Sequence, residues 1–173
     1  MIEQIYDING AYDLFRSYNI LGNNNCIFYA LYEVPLKPQD IAAAILLVGG
    51  LNAVGGSVIG VHPGGNNFYP GYLINQNEYG IGLIPFEPVS FTTQYPINKM
   101  KIVPNSYIFI NQKDIKKVSI KKNPLCLNSS IRFVTIETFS GAKINFRVSK
   151  KDKYLTYQES NFTNFINYYG VNN

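Results

Sequence analysis

The feature that most constrains this chain is a long stretch without formal charge. From Ile41 to Asn77 the 173-residue sequence contains no Asp, Glu, Lys or Arg, and this stretch begins IAAAILLVGGLNAVGGSVIGV. Apolar surface on this scale is driven out of water, because burial contributes about 25 cal/mol for each Å². We therefore expect residues 38–62, called the apolar segment below, to be covered by protein, by lipid or by another copy of the chain.

The apolar segment can take two shapes. A single helix over 41–61 would be roughly 30 Å long, which fits a bilayer core. Its glycines each cost about 1 kcal/mol relative to alanine in an aqueous helix, so two helices broken near Gly49 and Gly50 remain an alternative. Small residues four positions apart allow helices to approach closely. The contact residues predicted for this Gly/Ala-rich helical insertion are Ile45, Val48, Gly49, Ala53, Gly56 and Gly60.

The charge and the rare reactive residues argue against several classes of function. The net charge of +4 comes mainly from lysine, and a scatter of lysines with only three arginines is a weak footprint for nucleic acid. Cys26 and Cys126 are the only cysteines and His62 is the only histidine. They form neither a disulfide framework nor a metal-ligand spacing. We expect no metal, no cofactor and no specific nucleic-acid partner.

Catalytic motifs are also missing from the sequence. His62 could act as a base, but it lies in the glycine-rich loop VHPGG, and no acidic residue occurs between Asp40 and Glu78. The chain has no nucleophile elbow, and its glycine-rich stretches lack the lysine that a phosphate-binding loop requires. The sequence therefore predicts a protein that is not an enzyme, with an activity of His62 as the alternative.

The remaining patterns predict one mixed α and β domain over residues 1–173. Residues 1–24 have the spacing of a short helical preface, and CIFYALYEV is rich in strand formers. A polar turn at 75–78 separates two further strands, and a proline-bearing loop continues to about residue 105. IRFVTIETFSGAKINFRVS predicts a hairpin with Gly141 in its turn, and the C-terminal stretch predicts an amphipathic helix with Gly170 as its stop.

The order of these elements resembles that of the pleckstrin-homology (PH) superfold, in particular bacterial PH-like and GRAM-like domains. GYLINQNEYGIGLIPF is similar to their second and third strands, DIKKVSIKK to a later strand, RFVTIETFSGAKINFRV to the last hairpin and NFTNFINYY to the capping helix. The resemblance covers residues 69–170 and implies a strongly bent antiparallel barrel capped by the C-terminal helix. The apolar segment would then be an insertion between the first two strands.

The resemblance also implies possible ligands. Such domains are best known for binding phosphoinositide head groups through basic residues in the first loop, where this chain has only Lys37. Bacterial members also serve as interaction or assembly modules. A basic patch elsewhere could meet anionic lipid, or could be an ordinary solvated face. Its candidate residues are Lys116, Lys117, Lys121, Lys122, Lys150 and Lys151.

These observations predict a non-enzymatic interaction or assembly module that uses the apolar segment to form a homo-oligomer or to dock a protein partner. The alternative is a peripheral membrane module, with the segment in lipid and the lysines on head groups. A single crossing would separate the first strand from the others, so it conflicts with the predicted fold. The N-terminus MIEQIYDING carries no signal-peptide pattern, which predicts a cytoplasmic location, or the inner face of the cell membrane under the alternative.

Overall fold

A computed structural model of the chain describes residues 2–33, 69–90, 94–122 and 130–169, and these form a mixed α+β fold with two α-helices and a large antiparallel sheet of eight strands. In chain order the elements are the 3-10 helix Ile2–Tyr6, α1 (Ile8–Ser17), β1 (Cys26–Tyr32), β2 (Gly71–Asn77), β3 (Gly80–Pro88), the 3-10 helix Ile97–Lys99, β4 (Met100–Ile102), β5 (Ile108–Asn111), the 3-10 helix Gln112–Asp114, β6 (Ile115–Lys122), β7 (Ile131–Thr138), β8 (Lys143–Ser149) and α2 (Gln158–Tyr168).

The sheet is open along its hydrogen-bonded path. The strand order is β4-β3-β2-β1-β8-β7-β6, with β5 off this path and paired to β3. Within the described residues no ladder joins the two ends of the path, so the sheet is not closed. Only the three-residue turn Gln112–Asp114 separates β5 from β6. One bent length of chain therefore contacts β3 with its first half and β7 with its second half.

Strands β1 to β3 lie between two hydrophobic cores. All seven residues of β2 and the first seven of β3 are buried. Successive residues of a strand point to opposite faces, and accordingly Phe28 belongs to the core beneath α2 while Tyr29 belongs to the core beneath α1. Because both faces are covered, GYLINQN and GIGLIPF are continuous runs of buried residues and do not alternate between buried and exposed residues.

The N-terminal helix covers one of these faces. Asp7 caps α1 by accepting the backbone N–H of Asn9 at 2.8 Å. Ile5 and Phe15 are fully buried in the core beneath α1. The predicted helical preface is thus present, but α1 ends at Ser17 and residues 18–25 form a loop instead.

The C-terminal helix covers the opposite face, as its spacing predicts. Phe162 and Phe165 are buried, with ring centroids 5.0 and 4.8 Å from that of Phe28 on β1. Ile166 and Tyr169 are partly buried against the same core. The predicted apolar face of α2 is therefore confirmed.

The hairpin of β7 and β8 follows its predicted pattern closely. Inward and outward residues alternate along both strands, and β6 adds Ile115 and Ile120 to the same core. Gly141 in the turn has φ +87°, a left-handed conformation that glycine adopts without steric cost. The glycine in the predicted turn is thus confirmed.

Two local predictions were wrong. The polar residues Asn75, Gln76 and Asn77 are not a turn but the buried end of β2, and the turn is Glu78–Tyr79. The predicted loop before residue 105 also contains the short strand β4. The apolar segment, His62, Lys37, Cys126 and Gly170 lie outside the described residues. No helix in the described part of the chain is long and apolar enough to cross a bilayer.

Candidate functional site at the connection rim

The ends of the strands define where the long connection between β1 and β2 leaves the sheet. Leu31 pairs with Gly71, and the Tyr32 backbone N–H donates to the Pro70 carbonyl at 3.0 Å. Residues 34–68 therefore begin and end at the adjacent ends of two paired strands. Because β2 and β3 are antiparallel, the β3–β4 connection leaves β3 at this same rim of the sheet, called the connection rim below.

Two of the most exposed hydrophobic side chains lie just after strands, and only Val89 is at the connection rim. Phe139 in the β7–β8 turn is 71% exposed and Val89 after β3 is 65% exposed. Both are fixed by their backbones, since the Phe139 N–H donates to the Asp114 carbonyl at 3.1 Å and the Val89 N–H donates to the Lys99 carbonyl at 2.9 Å. Gln112, two residues before Asp114, donates its N–H to the Tyr79 carbonyl at 2.8 Å, so Phe139 lies towards the β2–β3 turn and away from Val89.

A split in the sheet lies beside this rim, between β1 and β8. These two strands pair only at Leu31 and Tyr32. Further along β1, the side chain of Gln158 takes the place of the missing strand. Its Oε1 accepts the Tyr29 N–H at 2.8 Å, and its Nε2 donates to the carbonyls of Tyr29 at 2.9 Å and Ser149 at 2.8 Å. Asn161, one turn later on α2, accepts the Ile27 N–H at 2.9 Å.

The split opens into a cleft of about 380 Å³. Tyr29, Tyr95, Arg147, Asp152 and Gln158 line it together with apolar residues of β1 and β7. The Tyr29 hydroxyl donates to the Tyr95 carbonyl at 3.1 Å. Burial, and then the charge of Asp152, raise the pKa of Tyr29, so this hydroxyl stays protonated and remains a donor.

The polar groups of the β1–β8 cleft are engaged with the protein. Asp152 Oδ1 accepts the backbone N–H groups of Tyr154 at 2.8 Å and Leu155 at 3.2 Å. Arg147 Nε lies 4.0 Å from Glu33 Oε2. This arrangement positions backbone and side chains but places no base beside a nucleophile. Among the described residues, no group of three His, Cys, Asp or Glu side chains could hold a metal ion.

The structure separates the predicted lysine patch into two parts. Lys116 and Lys117 lie at the start of β6, where Lys116 Nζ is 2.8 Å from Glu137 Oε1. The other four lysines lie at the end of β6 and after the end of β8, close to Ile131 and Ser149, which line the β1–β8 cleft. There Lys151 Nζ is 3.4 Å from Glu159 Oε2.

The interaction residues predicted in the apolar segment lie outside the described residues, so the structure places only the strand ends on either side of them. Sequence reasoning missed Gln158 and Asn161. The spacing could have indicated their burial, because these amides occupy positions i and i+3 on the same side of α2 as its buried phenylalanines.

Comparison with protein-family models, with curated proteins and with solved structures finds no match for this chain.

Proposed function

We propose that this protein is a non-enzymatic interaction or assembly module whose contact surface is the apolar segment displayed from the connection rim. The pairing of Leu31 with Gly71 carries the proposal, because it brings together the two strand ends between which the apolar segment lies in the sequence. Val89 adds an exposed apolar side chain at the connection rim.

We also infer a PH-like barrel as the scaffold. Three features support this inference: the bent β5–β6 strand, the return of β8 to β1, and a C-terminal helix packed on the core inside the bend. The fold does not by itself indicate a ligand, since such superfolds host many roles.

A peripheral membrane module is the second candidate. In such a module the apolar segment and the lysines must meet the same lipid surface. Lys116 is paired with Glu137 at 2.8 Å and Lys151 with Glu159 at 3.4 Å, which reduces the attraction of these two lysines for an anionic surface. We therefore place self-association or protein docking first.

The test uses the small residues predicted to form the contact. Replacing both Gly56 and Gly60 by leucine should reduce the oligomeric mass measured by light scattering, because side chains at these positions keep helices apart. A variant with Gly64→Leu and Gly65→Leu adds the same two side chains outside the apolar segment and should keep the wild-type mass. Circular dichroism should show the same strand content in all three proteins.

Two results would count against the assembly role. An unchanged oligomeric mass in the Gly56→Leu, Gly60→Leu variant would show that these glycines do not form the contact between copies of the chain. Sedimentation with vesicles rich in phosphatidylserine, lost after neutralisation of Lys116, Lys117, Lys121 and Lys122, would instead support the membrane role.

A further inference from the structure

A second cleft, of about 570 Å³, lies at the rim opposite to the connection rim. Residues 23–25 of the loop before β1 form one wall, and Asn164, Asn167 and Tyr168 of α2 form the other. Gln76 of β2 and Cys26 of β1, which are paired across the sheet, lie between the two walls. The cleft is thus built from three elements that are distant in the sequence.

The loop wall is held in one conformation by buried or charged groups. Glu78 accepts the backbone N–H of Asn23 at 2.8 Å through Oε1 and that of Asn24 at 3.2 Å through Oε2. Asn25 Oδ1 accepts the Gly22 N–H at 2.9 Å and the Asn75 side-chain amide at 2.9 Å. A ligand bound here would not have to order this wall, which favours affinity.

The helix wall presents amides that are not used by the fold. Asn164 and Asn167 are exposed at positions i and i+3 of α2, and within the described part of the chain neither side-chain amide has a hydrogen-bond partner. Each amide carries two donor hydrogens and an acceptor oxygen, a combination that suits adjacent hydroxyl groups. The half-exposed Tyr168 lies next to Asn167 in the sequence of α2, and Tyr12 of α1 also lines the cleft, so both offer ring surfaces.

The charge of the cleft restricts the ligand further. Among the described residues that line the cleft, Glu78 alone carries a charge at neutral pH, and none is a lysine or an arginine. Hydrogen bonds from backbone N–H groups, that of Asn23 first, lower the pKa of Glu78 and keep it ionised. An anionic ligand such as a phosphorylated compound would therefore meet an uncompensated negative charge.

We propose that this cleft binds a neutral, hydroxyl-rich small molecule of the saccharide class. The side chains of Asn164 and Asn167 hydrogen-bond its hydroxyl groups, and Tyr12 and Tyr168 contact its C–H faces. The site is separate from the connection rim, so it adds a ligand-binding function to the proposed module and does not depend on its assembly.

The experiment follows the side-chain NH₂ resonances of Asn164 and Asn167 in the full chain during titration. The probes are maltose, cellobiose and chitobiose, each to about 20 mM, a range that detects even millimolar affinity. Glucose and glucose 6-phosphate form a further pair that differs by one anionic phosphate group on the C6 oxygen. We expect saturable shifts with at least one disaccharide, and weaker binding of glucose 6-phosphate than of glucose.

Two variants locate the binding. Asn164→Ala with Asn167→Ala changes exposed helix positions, so it should fold, and we expect about a tenfold loss of affinity or more. Asn98→Ala changes an exposed asparagine elsewhere and should bind like the wild type. The proposal would be overturned by the absence of saturable shifts with all three disaccharides, by equal affinity in the double variant, or by stronger binding of glucose 6-phosphate.

Discussion

At the scale of single residues, buried amide side chains complete the backbone hydrogen bonding of this fold. Gln158 is 1% exposed and bonds both the N–H and the carbonyl of Tyr29 on β1. Asn75 and Asn77, both fully buried, donate to the Ile20 carbonyl at 3.3 and 3.0 Å. An unpaired buried backbone group costs roughly 1–3 kcal/mol. These few side chains therefore contribute strongly to the free energy of unfolding.

Replacement of Gln158 by leucine tests this role. The change keeps the approximate volume but leaves the Tyr29 N–H, the Tyr29 carbonyl and the Ser149 carbonyl without their amide partner. We expect the free energy of unfolding to fall by about 2–4 kcal/mol, measured by urea denaturation.

The matched control is Gln4→Leu, the same chemical change at an exposed position of the first 3-10 helix. It should alter the free energy of unfolding by less than about 0.5 kcal/mol. Equal effects of the two substitutions would show that Gln158 does not act through its buried hydrogen bonds.

At the scale of elements, the loop between α1 and β1 is held by the β2–β3 turn. Glu78 of that turn bonds two consecutive backbone N–H groups of the loop, those of Asn23 and Asn24. The pKa of Glu78 is consequently lowered, with the Asn23 N–H as the largest cause. A group whose pKa is lowered on folding contributes stability above its unfolded pKa of about 4.3, and that stability is lost as the pH falls through the folded pKa.

Glu78→Gln should therefore reduce the dependence of stability on pH between about pH 5 and pH 3. Hydrogen exchange of the Asn23 and Asn24 amides should accelerate in the wild type as the pH falls through this range, after correction for intrinsic rates. In Glu78→Gln these amides should already be less protected at pH 7.

Glu137→Gln provides the comparison, because the pKa of Glu137 is also lowered, chiefly by its hydrogen bond with Lys116. It should change the pH dependence of stability without changing the protection of Asn23 and Asn24. Protection that is equal in Glu78→Gln and in the wild type at every pH would contradict the role given to Glu78.

Elements with local patterns were predictable, and those set by distant contacts were not. The turn at Gly141 and the buried face of α2 follow from glycine conformation and residue spacing within a short stretch. Asn75 and Asn77 read as turn residues because asparagine is common in turns. They are buried strand residues because their amides meet the Ile20 carbonyl, a contact across more than 50 positions of sequence.

The same distinction applies to the candidate sites. The charge-free stretch is evident in the sequence, and the apolar segment could be singled out from it without a structure. The β1–β8 cleft could not, because it joins β1, β8 and the start of α2, whose residues are about 120 positions apart. The amide-lined cleft likewise needs the antiparallel placement of α2 along β1.

At the scale of the whole molecule, the two rims have different surfaces. The connection rim carries the paired strand ends on either side of residues 34–68 together with the exposed side chain of Val89. The opposite rim carries the amide-lined cleft. One rim is therefore proposed to contact another copy of the chain or a protein partner, while the other remains available to a small ligand.

The most direct test of the central claim replaces residues 34–68 by a short glycine-rich hairpin loop. The ends of β1 and β2 are already paired at Leu31 and Gly71, so such a loop can close the hairpin. Sedimentation equilibrium of the full chain and of this variant then measures their masses. The account predicts that the full chain has a mass of at least twice the 19.5 kDa of one chain, and that the variant is a folded monomer. A full chain that stays monomeric and binds no protein partner, or a variant that keeps the oligomeric state of the full chain, would contradict it.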